Sequence, residues 1–139
     1  SLQLTSVDDG LRKFFVLESA DPRALEKVFT EIFDTMAPWY PGEPEPMMNI
    51  LAWFSSSWRL VLFPRGKHRP RQYFADEGDR IMLSPASVDF GGTLIFPREE
   101  DFTRVTQDDI IDMFQQVSMD AGHFDSLVKT LRHQREGRI

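Results

Sequence analysis

Arg65-Gly66-Lys67-His68-Arg69-Pro70-Arg71 sets four permanent cations and one imidazole side by side without an acid among them. Guanidinium forks match phosphate oxygens two at a time, and an ammonium adds a compact point charge. The chemistry on offer is therefore recognition of phosphate or of a phosphorylated ligand. The chain as a whole is acidic, with a formal net charge of −6 and a pI near 5.0. The remainder thus carries about −10, and the positive field is confined to this loop. The opposing reading is a solvated loop neutralised by Asp76, Glu77 and Asp79 just beyond it.

A second candidate is the turn Asp89-Phe90-Gly91-Gly92, preceded by the hydroxyls of Ser84 and Ser87. Paired glycines allow either a bulge between strands or close backbone approach to a ligand phosphate. The sequence holds no G-x-x-x-x-G-K-[ST], no G-x-G-x-x-G and no G-x-S-x-G. Its three histidines, His68, His123 and His133, do not fall at metal-ligand spacing, so neither a metal nor a cofactor is expected. Cysteine is absent, which removes disulfides and thiolate catalysis. Asp108-Asp109 and Glu99-Glu100-Asp101 stand near helix starts and read as caps and solvated charge rather than acid–base pairs.

These residues need elements to aim them. Leu11–Leu17 is a β-rich run after the turn-prone Asp8-Asp9-Gly10. Asp21-Pro22 opens a helix whose stripe is Leu25, Val28, Phe29, Ile32, Phe33 and Met36, and Pro38 ends it. Residues 38–46 hold four prolines and read as an extended, stiff connection. Met47–Phe54 and Trp58–Arg65, joined by Ser55-Ser56-Ser57, form a hairpin with two apolar faces, which places it at the centre of its sheet. Ile81–Ser84 and Thr93–Phe96 are expected as two further strands. Thr106 caps a helix using Ile110, Ile111, Phe114 and Val117, and a last helix uses Phe124, Leu127, Val128 and Leu131. The order β-α-β-β-β-β-α-α gives an α+β fold, an antiparallel sheet of about five strands with helices on one face.

The 139 residues are 41% hydrophobic, enough for one packed domain spanning 1–139. No apolar stretch approaches the ~20 residues that cross a bilayer, and a cytoplasmic protein without membrane partners is expected. The chain begins Ser1-Leu2, and we expect the C-terminal portion of a longer protein.

Asn49-Ile50-Leu51-Ala52-Trp53, Trp58-Arg59-Leu60-Val61-Leu62-Phe63-Pro64-Arg65 and Leu83–Phe96 together carry a resemblance over residues 47–118. The pattern is similar to the C-terminal part of diadenosine tetraphosphate phosphorylases. With GDP-galactose phosphorylases and galactose-1-phosphate uridylyltransferases, these belong to the histidine-triad-like superfamily. The resemblance implies an antiparallel α+β fold and nucleotidyl transfer or phosphorolysis through a nucleotidyl-histidine. The family's H-x-H-x-Q is missing from all 139 residues, so the resemblance implies that the catalytic histidine lies outside them. What the matched segment can supply is contact with a nucleotide or nucleotide-sugar phosphate, through Arg65, Lys67, His68, Arg69, Arg71 and the turn of Asp89, Gly91 and Gly92. The alternative is a non-catalytic module that binds phosphate or a protein. Nucleic acid is disfavoured by overall acidity, although Phe63, Tyr73 and Phe74 flank the loop as possible stacking rings. A sheet edge left open would be covered by a homodimer or by the rest of a longer chain.

Overall fold

A computed structural model describes residues 1–136. Among them, β1 (Leu2–Asp8), β2 (Lys13–Ser19), β3 (Met48–Phe54) and β4 (Trp58–Pro64) form one antiparallel sheet in the order β1-β2-β4-β3. The helices are α1 (Pro22–Met36), α2 (Ser87–Phe90), α3 (Glu99–Arg104), α4 (Gln107–Val117) and α5 (Ala121–Glu136). The α+β fold is as expected, with four strands in place of about five.

Local chemistry explains the boundaries. Asp9 Oδ1 accepts from the backbone N–H groups of Leu11 and Arg12 at 3.0 and 2.6 Å, so these residues close the β1–β2 turn and β2 begins at Lys13. Asp21 caps α1 by accepting from Arg23 N–H at 3.0 Å, with Pro22 at the first helical position. Thr106 and Asp109 form a reciprocal capping box at α4 (3.0 and 3.1 Å). The proline-rich connection is not extended throughout: it opens with a 3₁₀ turn over Ala37–Trp39 and bends at Pro41-Gly42, where Gly42 has φ +82°. β1 has no counterpart among the elements expected from sequence.

The hairpin forms as expected, with Phe54 opposite Trp58, but only β4 of the two is central, and β3 is an edge. Its apolar alternate faces have another cause. The sheet is covered on both faces, not one. On one side Phe15, Leu17 and Leu62 meet Val28, Ile32 and Met36 of α1 and Phe124, Leu127 and Leu131 of α5. On the other, Val61 and Phe63 meet Phe90 of α2 and Phe114 and Val117 of α4. A file of rings, Phe14, Phe63, Phe90 and Phe114, runs through this second layer with centroids 5.1–5.2 Å apart. Truncating one such buried ring to Ala costs about 3–5 kcal/mol.

Ile81–Ser84 and Thr93–Phe96 are not strands. Carboxylates and loop carbonyls take their backbone donors instead of a ladder: Met82 N–H donates to Asp101 Oδ2 and Ile95 N–H to Asp89 Oδ1, each at 3.0 Å, while Ile81 N–H donates to Gln72 O and Thr93 N–H to Val88 O at 3.1 and 3.2 Å. Ile81 and Leu83 still bury their side chains, against Met113 of α4. Asp101, expected as solvated charge, is fully buried and bonded twice by the Arg98 guanidinium at 2.8 and 2.9 Å.

Candidate functional site

The cationic loop leaves β4 at Arg65, and Arg65 itself turns inward. It is only 4% exposed. Its Nε donates to Val117 O (3.1 Å), Nη1 to Pro85 O (2.8 Å) and to Asn49 Oδ1, and Nη2 to Lys67 O and His68 O (3.0 and 2.9 Å). All five N–H donors of the guanidinium are thereby committed. The group lies over the Phe90 ring, 4.8 Å from its centroid. Burial pushes it down to about 10, opposed by the charge of Asp89, so it stays a cation at neutral pH. Arg65 therefore has no donor left for a ligand. It is the post on which the loop is built, and it places a buried positive charge behind that loop.

Gly66 is required by the same construction. Its N–H donates to Val117 O at 2.9 Å, and a Cβ there would lie 2.7 Å from Ser118 O. Arg65 bridges Ser118, and Met119 N–H donates to Pro64 O at 3.1 Å, so the chain between α4 and α5 clamps the end of β4. Tyr40 donates its hydroxyl to Arg65 O, and burial together with Asp120 raises it to about 12.

The loop then opens onto a cleft of about 640 Å³. Lys67, His68 and Arg69 form its charged wall, the committed Arg65 lies at its back, and Asn49, Ser84, Pro85, Ala86 and Phe74 make up the rest. No carboxylate lines it. Arg69 is held in place by Ser84, to whose Oγ its Nε donates at 3.2 Å, and by the Tyr73 ring 4.3 Å beneath its guanidinium. Asn49 Nδ2 also donates to Ser87 Oγ at 3.3 Å, joining β3 to the start of α2. Phe74, 69% exposed, stands at the rim. The local neutralisation considered from sequence does not occur for Lys67 or Arg69 among the described residues: Glu77 is drawn instead to Arg80 and Arg98 at 3.6 and 3.1 Å.

Three groups of expected site residues separate here. Lys67, His68 and Arg69 come together in the cleft. Arg71 does not: it begins a 3₁₀ turn (Arg71–Phe74) and its guanidinium pairs with Asp112 of α4 at 2.7 Å. Asp89, Gly91 and Gly92 stand apart from the cleft wall. Asp89 is buried and accepts from Ala86 N–H (2.9 Å) and Ile95 N–H (3.0 Å), which closes the loop behind the cleft. Gly92 supplies the positive φ (+116°) on the way out of α2, and Gly91 lies where a Cβ would press on Leu51 Cδ1 at 3.2 Å. The turn thus shapes the wall that Pro85 and Ala86 present. Asn49, Ser84 and Tyr73 are contributors that charge spacing does not reveal; a lone amide in an apolar strand was the one available signal for Asn49.

Of the stacking candidates, Phe63 is core and Tyr73 carries Arg69. His123 donates its backbone N–H to Asp120 Oδ1 (2.9 Å), places Nδ1 2.6 Å from Oδ2, and packs against the edge of Trp39 (5.0 Å), all at the start of α5. Among the described residues no group of three or more His, Cys, Asp or Glu is arranged to hold a metal ion, and no helix is long and apolar enough to cross a membrane.

No curated protein and no solved structure matches the chain. A family model does, the one described as "GDPGP1-like, C-terminal domain", over residues 11–136. That span takes in the sheet from β2 onward, the cationic loop, the Asp89–Gly92 turn and the last helix, and by it the chain belongs to the GDPGP1-like C-terminal domain family.

Proposed function

We infer that this domain is the substrate-side portion of a phosphorylase related to GDP-galactose phosphorylases, and that its cleft takes the phosphates of a nucleotide or nucleotide-sugar phosphate. One observation carries the reading. Lys67, His68 and Arg69 face a cleft without a carboxylate, and the buried charge of Arg65 stands behind them. In a chain of net charge −6 this local excess of positive charge supports an anion-binding role for the cleft. Lys67 and Arg69 neutralise phosphate oxygens, Arg69 is pre-oriented by Ser84 and Tyr73, and the exposed Phe74 ring offers a face to a base or sugar. Family membership supports the phosphorylase-related part of the reading.

The chemical step is the histidine-triad-like one, nucleotidyl transfer or phosphorolysis on a histidine. No residue here takes that role, since H-x-H-x-Q does not occur in the sequence. The proposal is that this domain binds and orients, in the cytoplasm, a substrate whose reacting phosphate meets a histidine contributed from outside these residues.

The test is titration calorimetry with GDP and a GDP-hexose. Binding that weakens about tenfold or more in Lys67→Ala and in Arg69→Ala, roughly 1.4 kcal/mol or above, is expected for charge-assisted hydrogen bonds. Affinity unchanged in both variants removes the cleft from the site.

A further inference from the structure

β3 is the edge of the sheet, and nothing in its composition protects it. Met48-Asn49-Ile50-Leu51-Ala52-Trp53-Phe54 holds no charge, no proline and no glycine, the devices that keep natural edges from pairing. Arg65 N–H donates to Met47 O across the β3–β4 ladder at 2.9 Å. By alternation the odd residues of β3 bond β4, and the N–H and C=O groups of Met48, Ile50, Ala52 and Phe54 point outward. At one end of this edge Trp53, Phe54 and Trp58 are 43%, 58% and 41% exposed. At the other end, beside Met48 and Ile50, lies a groove of about 320 Å³ whose apolar floor is Phe29 and Phe33 of α1 with Pro44, and whose rim carries Glu43, Glu45 and His68.

A protruding aromatic end and a receptive groove on one strand are related as the two halves of a two-fold interface. We propose that two copies of this chain pair antiparallel along β3, with the axis at Leu51, and that each completes the other's cleft. This register uses the whole strand. It sets Phe54 of the second copy opposite Met48, on the face of the groove, and Ala52 opposite Ile50. It sets Trp53 of the second copy opposite Asn49, on the face where Asn49 lines the cationic cleft. An indole then roofs a site whose floor is cationic.

The area suffices. With about 200 Å² per ring, the exposed fractions leave roughly 300 Å² of aromatic surface on each copy. An equal area of groove and strand edge receives it, about 1,200 Å² for the pair, the lower bound of a specific interface. The shared-cleft part rests on the nucleotide reading above; the pairing does not.

Sedimentation velocity on the 139-residue chain, from micromolar to sub-millimolar, tests the pairing without any ligand. A species of twice the 16.1 kDa chain mass is expected, and a single 16.1 kDa species throughout overturns the proposal. Ala52→Lys puts two ammonium groups near the axis at an exposed position, and Phe54→Lys charges the aromatic end. Each is expected to yield monomer with the far-UV spectrum unchanged. A dimer that survives both places the interface elsewhere and overturns the β3 register. For the shared cleft, Trp53→Leu keeps apolar surface on the edge and removes the indole; it is expected to keep the dimer and weaken GDP binding several-fold. Unchanged affinity in that dimer overturns the roofing role alone.

Discussion

The Arg65 guanidinium and the Phe90 ring lie 4.8 Å apart, and that contact decides what the cationic loop can do. It takes the first cation of the run out of solvent and onto the aromatic file that ends in Phe114. The other cations then leave the strand from a fixed point. Because five acceptors from β3, α4, the loop itself and Pro85 all converge on one side chain, Arg65 is a structural centre of the site rather than a ligand contact. Arg65→Lys keeps the charge but offers three donors in a different geometry, leaving buried acceptors unpaired. A loss of about 3 kcal/mol is expected in urea unfolding, on the scale of breaking a buried charged contact. A midpoint equal to the parent's would show that the five bonds are dispensable.

Arg69 and Arg71 give a sharper comparison, two residues apart in one basic run. Arg69 stacks on Tyr73 and lines the cleft, whereas Arg71 pairs with Asp112. Arg71→Ala removes an exposed ion pair worth at most about 1 kcal/mol and touches no cleft wall. Nucleotide affinity is expected to stay within about twofold of the parent, against about tenfold or more for Arg69→Ala. Equal losses in the two variants would mean that the ligand reads the run as a general patch of charge.

That pair also shows how far the sequence could be read. The charge run marks a candidate site, but types alone do not reveal that its first member folds inward and its last is captured from α4, forty-one positions away. Those outcomes depend on Phe90 and Asp112, whose proximity is tertiary. The same holds for the fold. α1, α4, α5 and the β3–β4 hairpin follow from local periodicity and caps. Ile81–Ser84 and Thr93–Phe96 have the composition of strands, yet Asp101 and Asp89 take backbone donors that a ladder would have used. The coverage of both sheet faces was visible in β4, where Leu60 and Leu62 face one layer and Val61 and Phe63 the other. Each of those faces needs its own helical layer, and strand alternation alone does not say which helix supplies it.

Asp101 gives a pH dependence. The hydrogen bonds from Arg98 hold its carboxyl below the usual range, against burial, with Met82 N–H and Arg104 adding to the effect. A carboxyl depressed in the folded state contributes stability that is present above its unfolded value near ~3.9 and is lost as pH falls through the folded one. Asp101→Asn is expected to melt lower than the parent at pH 7, with the gap closing as both are titrated from about pH 5 toward pH 2. A gap that stays constant over that range would assign the loss to packing rather than to the carboxylate.

Gly66 tests whether the clamp between β4 and the α4–α5 connection positions the cleft. A Cβ at this residue meets the Ser118 carbonyl at 2.7 Å, which is backbone and has little room to yield, since Gly66 N–H is itself bonded to Val117 O at 2.9 Å. Relief requires the loop to move away from α4, carrying Lys67, His68 and Arg69 with it. Gly66→Ala is expected to cost about 1–3 kcal/mol of stability by overpacking and to weaken nucleotide binding although no ligand-facing atom is changed. Gly91→Ala is the contrasting case. Its Cβ meets the end of Leu51 at 3.2 Å and two carbonyls at 3.3 Å, contacts that shift by tenths of an ångström, and it sits behind the wall rather than under the cations. Comparable losses of affinity in the two variants would show that the clamp has no privileged hold on the loop; a loss confined to Gly66→Ala ties the cleft's geometry to the Ser118 contact.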